Sequence, residues 1–195
     1  MQNRYLQHSN YIRLSRGVMD QAKDTALNFL LPIHEQNKNT SIDGRTISRI
    51  GAVDVLFLLV HFISKGGTEP IKPSSFYTAL KETCPNVQIP EFNNSQKPRR
   101  IFLDKVSFYA LGCLISQIAR ETREPIISVT DYILLCGIDI IKSNKVTTEQ
   151  IKQYLAKKQD FFAKPLSNET IDADNNLYTL NKHIEGLFNI KYEQI

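Results

Sequence analysis

The sequence predicts an all-α fold, an irregular bundle of six or seven helices with three buried central helices. Apolar residues recur at intervals of three and four along most of the chain, which is the spacing of one helix face. The alternating pattern of a β-strand never persists for more than a few residues, and internal repeats are absent. The 195 residues, 42% of them hydrophobic and 23% charged, have the composition of an ordinary globular domain.

The first part of the chain is expected to form two long helices. An amphipathic stripe predicts the first helix over about 9–36, kinked one turn before Pro32, because proline removes a backbone hydrogen bond. The segment 46–65 is apolar on nearly every side, which places it in the centre of the bundle. Gly66 and Gly67 are expected to end this second helix.

The middle of the chain contains a short helix, a loop and two further central helices. The short helix is expected over 74–83, capped by one of the serines at its start. Five of the eight prolines lie between positions 70 and 98, so 84–98 is predicted to be an ordered loop. The segments 101–119 and 131–141 are strongly apolar and are predicted to complete the core.

The last third of the chain changes character. Thr147 and Gln150 have the spacing of a capping box, flanked by Val146 and Ile151 as a hydrophobic staple, which predicts a helix that continues to about Ala163. A polar, turn-forming stretch follows, and apolar spacing then predicts a final peripheral helix. We therefore divide the chain into a helical domain, 1–162, and a linker with a C-terminal helix, 163–195.

Charge and cysteine content indicate a cytoplasmic protein. The formal net charge of +4 is spread thinly over the first half, whereas binding through phosphate contacts usually needs a concentrated basic face. Three widely spaced cysteines argue against a disulfide framework. The N-terminus lacks the apolar stretch of a signal peptide, and no apolar run in the sequence is long enough to span a membrane. The abundance of Ile, Asn and Lys suggests an AT-rich genome, that of a bacterium or a parasite.

Common catalytic and metal-binding motifs are missing from the sequence. Phosphate-binding glycine loops, the nucleophile elbow and paired zinc ligands are all absent, so we predict no catalytic residue, no metal and no cofactor. Asp54 and Asp139 are unusual as acids in apolar helices and are expected to face solvent or pair with arginine. A pocket that combined one of them with a histidine such as His61 would favour an enzyme.

The leading hypothesis is a non-enzymatic protein that binds other proteins: an adaptor, chaperone-like or accessory subunit of a larger bacterial complex, such as a secretion or effector-delivery assembly. It depends on aromatic and aliphatic residues in segments predicted to be peripheral, since such residues concentrate binding energy at interfaces. The predicted partner-binding residues are Ile89, Phe92, Leu177, Leu180, Ile184, Leu187 and Phe188.

The alternative is a nucleic-acid-binding regulator. The helices predicted within 131–159 are joined by a turn of helix-turn-helix length, and the second helix carries Lys152, Lys157 and Lys158. A separate basic cluster, 97–100, places positive charge at a predicted helix start, where it opposes the helix dipole. That cost makes an acidic partner for this cluster worth testing.

Overall fold

The computed structural model describes residues 10–36, 50–93, 97–103 and 105–163. These residues form six helices and a single two-stranded antiparallel ribbon, which confirms the all-α fold class. The predicted linker and C-terminal helix, 163–195, lie almost entirely outside the described residues.

The elements follow one another in chain order with short connections. They are β1 (Tyr11–Leu14), α1 in three continuous segments (Arg16–Thr25, a π-helical turn Ala26–Leu30, and Leu31–Gln36), α2 (Ala52–Ile63), α3 (Pro73–Thr83), β2 (Arg99–Phe102), α4 (Lys105–Thr122), α5 (Ile126–Lys142) and α6 (Thr148–Ala163).

The ribbon corrects the prediction of helix at two places. Residues 11–14 were expected to open the first helix and 99–102 to open the fourth, but they pair as β1 and β2, with Tyr11 opposite Phe102 and Leu14 opposite Arg99. Each strand has only four residues, too few for period-two alternation to be distinguished from noise in one sequence. Pairing between distant segments, rather than local preference, decides the structure here.

Helix α1 begins at Arg16, after Ser15 leaves the strand in an extended conformation. The backbone amide of Ser15 donates a hydrogen bond to Asp131 Oδ1 at 2.8 Å, so a carboxylate from α5 fixes the junction between β1 and α1. The irregularity expected near Pro32 is the π-helical turn Ala26–Leu30, directly before it. A π turn lets the helix continue although proline lacks the amide hydrogen that would donate a backbone hydrogen bond.

Helices α2 and α5 form the centre of the bundle and are buried on nearly all sides, as predicted. Helix α4 instead buries one face and exposes the other, where Tyr109 lies, so it is more peripheral than expected. The closest helix contact involves Gly137 of α5, where a Cβ atom would lie 2.8 Å from the backbone oxygen of Val55 in α2. By contrast, a Cβ atom at Gly112 of α4 would meet nothing within 4 Å.

This difference predicts opposite effects for two glycine-to-alanine substitutions. Gly137→Ala is expected to lower the free energy of unfolding by about 1–3 kcal/mol, because the added methyl group meets backbone that cannot move cheaply. Gly112→Ala, the matched control, should raise it by up to about 1 kcal/mol, since alanine favours helix and the site is open. Urea denaturation compares the two, and equal midpoints would contradict the close contact.

Candidate functional site

The outer side of the ribbon carries four side chains that we call the ribbon face: Tyr11, Arg13, Arg100 and Phe102. Strand alternation directs them away from the core, while Ile12, Leu14 and Ile101 are buried beneath. Arg13 and Arg100 lie directly opposite each other across the two strands.

The two guanidinium groups gather around one aromatic ring. The Cζ atom of Arg100 lies 4.6 Å from the Tyr11 ring centroid and that of Arg13 lies 5.7 Å away, distances at which a cation interacts with the ring. Arg13 also donates a hydrogen bond to the Tyr11 hydroxyl at 3.3 Å. This hydrogen bond makes the largest contribution to lowering the pKa of Tyr11, and the positive charges of Arg100 and Arg13 lower it further. The ribbon face therefore carries two adjacent positive charges.

Nothing in the described part of the chain neutralises this charge. No ion pair within it involves Arg13 or Arg100. Like charges placed directly opposite each other in an antiparallel ribbon destabilise the pairing. Next to them, Phe102 is 57% exposed, and its ring centroid lies 5.9 Å from that of Tyr11. Among the described residues, the ribbon face thus combines positive charge that no ion pair compensates with the exposed aromatic surface of Phe102.

A second group of polar residues lies in the core, around Asp54 of α2. Asp54 Oδ1 accepts hydrogen bonds from the Tyr154 hydroxyl at 2.7 Å and from Lys158 Nζ at 2.5 Å. Asp54 Oδ2 accepts from the backbone amide of Gly51 at 2.7 Å. Burial, and then the negative charge of Asp54, raise the pKa of Tyr154 well above its ordinary value. Asp54 thus pairs with a lysine in the core, and not with an arginine or solvent.

This arrangement determines which lysine side chains of α6 can contact another molecule. Lys158 is buried in the ion pair with Asp54, and Lys157 Nζ donates to the backbone oxygen of Gly66. Lys152 is half-exposed. Two of the three lysines assigned to a nucleic-acid surface are therefore engaged by the protein itself.

A cleft of about 600 Å³ opens between the C-terminal end of α2, helix α3 and the start of α6, and we call it the histidine cleft. It is lined by Leu58, His61, Phe62, Ile63, Lys65, Gly66, Ala79, Glu82, Thr83, Val146, Gln150 and Gln153. His61 is 4% exposed, and its Nε2 atom has no hydrogen-bond partner. The ring centroids of His61 and Tyr154 lie 5.9 Å apart, but Asp54 does not line the cleft.

The buried histidine predicts a loss of stability in mild acid. Burial, followed by the charge of Lys157, lowers the pKa of His61 to about 4. Since an unfolded histidine takes up its proton near pH 6.5, the unfolded state binds more protons between about pH 6.5 and 4. The free energy of unfolding should therefore fall by about 3 kcal/mol as the pH drops through this window.

Urea unfolding over this pH range measures the effect. His61→Phe should remove this part of the pH dependence, whereas His34→Phe, which changes a histidine outside the cleft, should keep it. An unchanged slope in His61→Phe would assign the proton uptake to another group.

The other residues singled out from the sequence are scattered over the structure. Asp139 is half-buried and pairs with Lys145 at 2.7 Å. Burial of Asp139 raises its pKa, but the hydrogen bonds from Lys145 and Ser143 outweigh this, and the pKa is lowered overall. Ile89 is partly buried against the core, and Phe92 is 39% exposed. Leu177, Leu180, Ile184, Leu187 and Phe188 lie outside the described residues.

Two of the three cysteines lie in the core, where Cys84 Sγ donates a hydrogen bond to the backbone oxygen of Cys136 at 3.6 Å. Cys84 and Cys136 are buried and Cys113 is half-buried, and all three are free thiols. Within the described segments, no group of three or more His, Cys, Asp or Glu side chains is placed to hold a metal ion.

The fold and the ribbon face together define a helical bundle with an exposed basic ribbon. Comparison of the chain with protein-family models, curated proteins and solved structures finds no match. None of the helices in the described segments has both the length and the apolar character that crossing a membrane requires.

Proposed function

We propose that this protein is a non-enzymatic binding protein that holds an acidic segment of another protein against the ribbon face. In this proposal it acts as an adaptor, chaperone-like or accessory subunit of a cytoplasmic, bacterial hetero-complex. The observation that carries the proposal is the pair of arginines that face each other beside the Tyr11 ring and the exposed Phe102, without a counter-charge in the described residues.

The chemistry of the ribbon face suits a carboxylate-rich partner. Guanidinium groups bind carboxylates through two parallel hydrogen bonds, a geometry that lysine cannot reproduce. Tyr11 and Phe102 supply aromatic contact area of the kind that concentrates energy at interfaces. A segment with Asp or Glu next to apolar side chains would engage both features. Phe92, also exposed, is a further candidate contact.

The positions of the α6 lysines support this proposal over a helix-turn-helix regulator. A recognition helix needs side chains free to enter the major groove. Lys158 and Lys157 already bind Asp54 and the Gly66 backbone oxygen, so their charges are directed inward. Nucleic-acid binding through α6 would have to break these interactions.

Binding to labelled synthetic peptides tests the proposal. A fluorescent peptide in which Glu alternates with Leu or Phe should bind the full chain in a salt-dependent manner, because exposed charge pairs are screened by salt. A matched peptide with Gln in place of each Glu should bind much more weakly. Equal binding of the two peptides, or preference for a single-stranded oligonucleotide of similar charge, would overturn the proposal.

A further inference from the structure

The histidine cleft has the size and lining of a small-molecule site. Ligand pockets typically enclose about 300–1,000 Å³ and combine apolar walls with a few polar groups, and the cleft measures about 600 Å³. Leu58, Phe62 and Val146 supply apolar wall. Its uncharged polar side chains are the His61 imidazole, the Thr83 hydroxyl and the amides of Gln150 and Gln153, and its charged ones are Lys65 and Glu82.

The imidazole is the polar group in the cleft that is buried without a partner. His61 is 4% exposed, and its Nε2 atom makes no hydrogen bond. This atom lies next to Gly66, since a Cβ atom at Gly66 would be 3.8 Å from Nε2, and the Gln153 Oε1 atom would be 4.0 Å from the same Cβ position. Buried polar atoms are nearly always hydrogen-bonded, and an orphan is a place where a bound molecule can gain affinity.

The side-chain amides of Gln150 and Gln153 differ in the hydrogen bonds that they can still make. Gln150 Oε1 already accepts a hydrogen bond from the Thr147 backbone amide at 2.8 Å, so its remaining capacity is as a donor. Gln153 is exposed, and its side chain is therefore able to change rotamer when a ligand enters.

The charges around the cleft favour an uncharged ligand. Lys157 adds positive potential at His61, which disfavours a cation next to the ring. Glu82 contributes a negative charge to the lining, which disfavours an anion. Lys65, also in the lining, is paired with Glu69. A hydroxyl group both donates and accepts hydrogen bonds, so it satisfies Nε2 whichever ring nitrogen carries the proton.

We propose that the histidine cleft binds a small uncharged molecule with an apolar body and one hydroxyl group, which hydrogen-bonds to His61 Nε2 once a side chain of the lining moves aside. This site is separate from the ribbon face and does not depend on the function proposed for it.

Phenol and toluene are matched probes, because they share a ring and differ in a hydroxyl or methyl substituent. In ¹⁵N–¹H NMR titrations of the full chain, phenol should shift the backbone amides of Gly66, Gln150 and Gln153 saturably and should perturb the His61 ring. Toluene should bind about tenfold more weakly, which is the loss expected when a buried hydrogen bond is not made.

His61→Phe keeps the bulk of the ring and removes its nitrogens, so it should abolish the preference for phenol over toluene. His34→Phe serves as the matched control and should keep that preference. Unmoved cleft amides, equal binding of phenol and toluene, tighter binding of benzoate than of phenol, or an undiminished preference in His61→Phe would each overturn the proposal. The comparison of ligands on the unmodified protein decides the question even if His61→Phe does not fold.

Discussion

Reversing both charges of the ribbon face, in Arg13→Glu with Arg100→Glu, is expected to weaken binding of the acidic peptide roughly 100-fold. Each substitution removes an attraction and adds a repulsion, and about 1–2 kcal/mol per site corresponds to this change. Fluorescence polarisation of the labelled peptide measures the loss. The double variant Arg120→Glu with Lys142→Glu changes the net charge equally at exposed positions on α4 and α5 and should bind nearly as well as the unmodified protein.

The single substitution Arg13→Glu separates binding from folding. It replaces a repulsive cross-strand pair with an attractive Glu–Arg pair, so the free energy of unfolding should rise by about 0.2–1 kcal/mol. Binding of the acidic peptide should fall at the same time. If the variant were less stable and bound normally, the arginines would have a structural role and the proposed function would lose its support.

Asp54→Asn should lower the free energy of unfolding by about 3–5 kcal/mol, because it leaves the ammonium group of Lys158 buried without a counter-charge. The Tyr154 hydroxyl and the Gly51 amide also lose a charged acceptor. Urea denaturation followed by circular dichroism measures the change. A loss of this size would show that the Asp54 group holds α6 to the centre of the bundle.

Asp139→Asn is the matched control, since its ion pair with Lys145 is partly exposed and such pairs contribute about 0–1 kcal/mol. In the Asp54→Leu, Lys158→Met double variant the buried charges are removed together, and much of the lost stability should return. Similar losses for Asp54→Asn and Asp139→Asn would mean that water reaches the Asp54 group.

Local features of the helices could be predicted from the sequence because their causes are local. Gly66 and Gly67 lie in the turn that follows α2, and their φ angles of 73° and 82° favour glycine. The capping box before α6 is present in both directions. The Thr147 amide donates to Gln150 Oε1 at 2.8 Å, and the Gln150 amide donates to Thr147 Oγ1 at 3.2 Å.

Features that depend on distant residues could not be predicted in this way. The Asp54–Lys158 pair joins residues 104 positions apart, and nothing near either residue identifies the other as its partner. The basic cluster at 97–100 can be identified in the sequence. Arg13 lies next to this cluster only because the register of the ribbon places it opposite Arg100. The alternation in Tyr11–Leu14 was the available signal, and helical spacing over the longer segment obscured it.

The ribbon also constrains when Arg13 and Arg100 come together during folding. Its two strands come from distant parts of the chain, with α1, α2 and α3 between them. Closing so long a loop is slow compared with forming a helix, so the strands meet only after much of the intervening structure is in place. The arginines of β1 and β2 face each other only in that finished structure. A partner that requires both arginines therefore discriminates completed molecules from newly made or damaged ones.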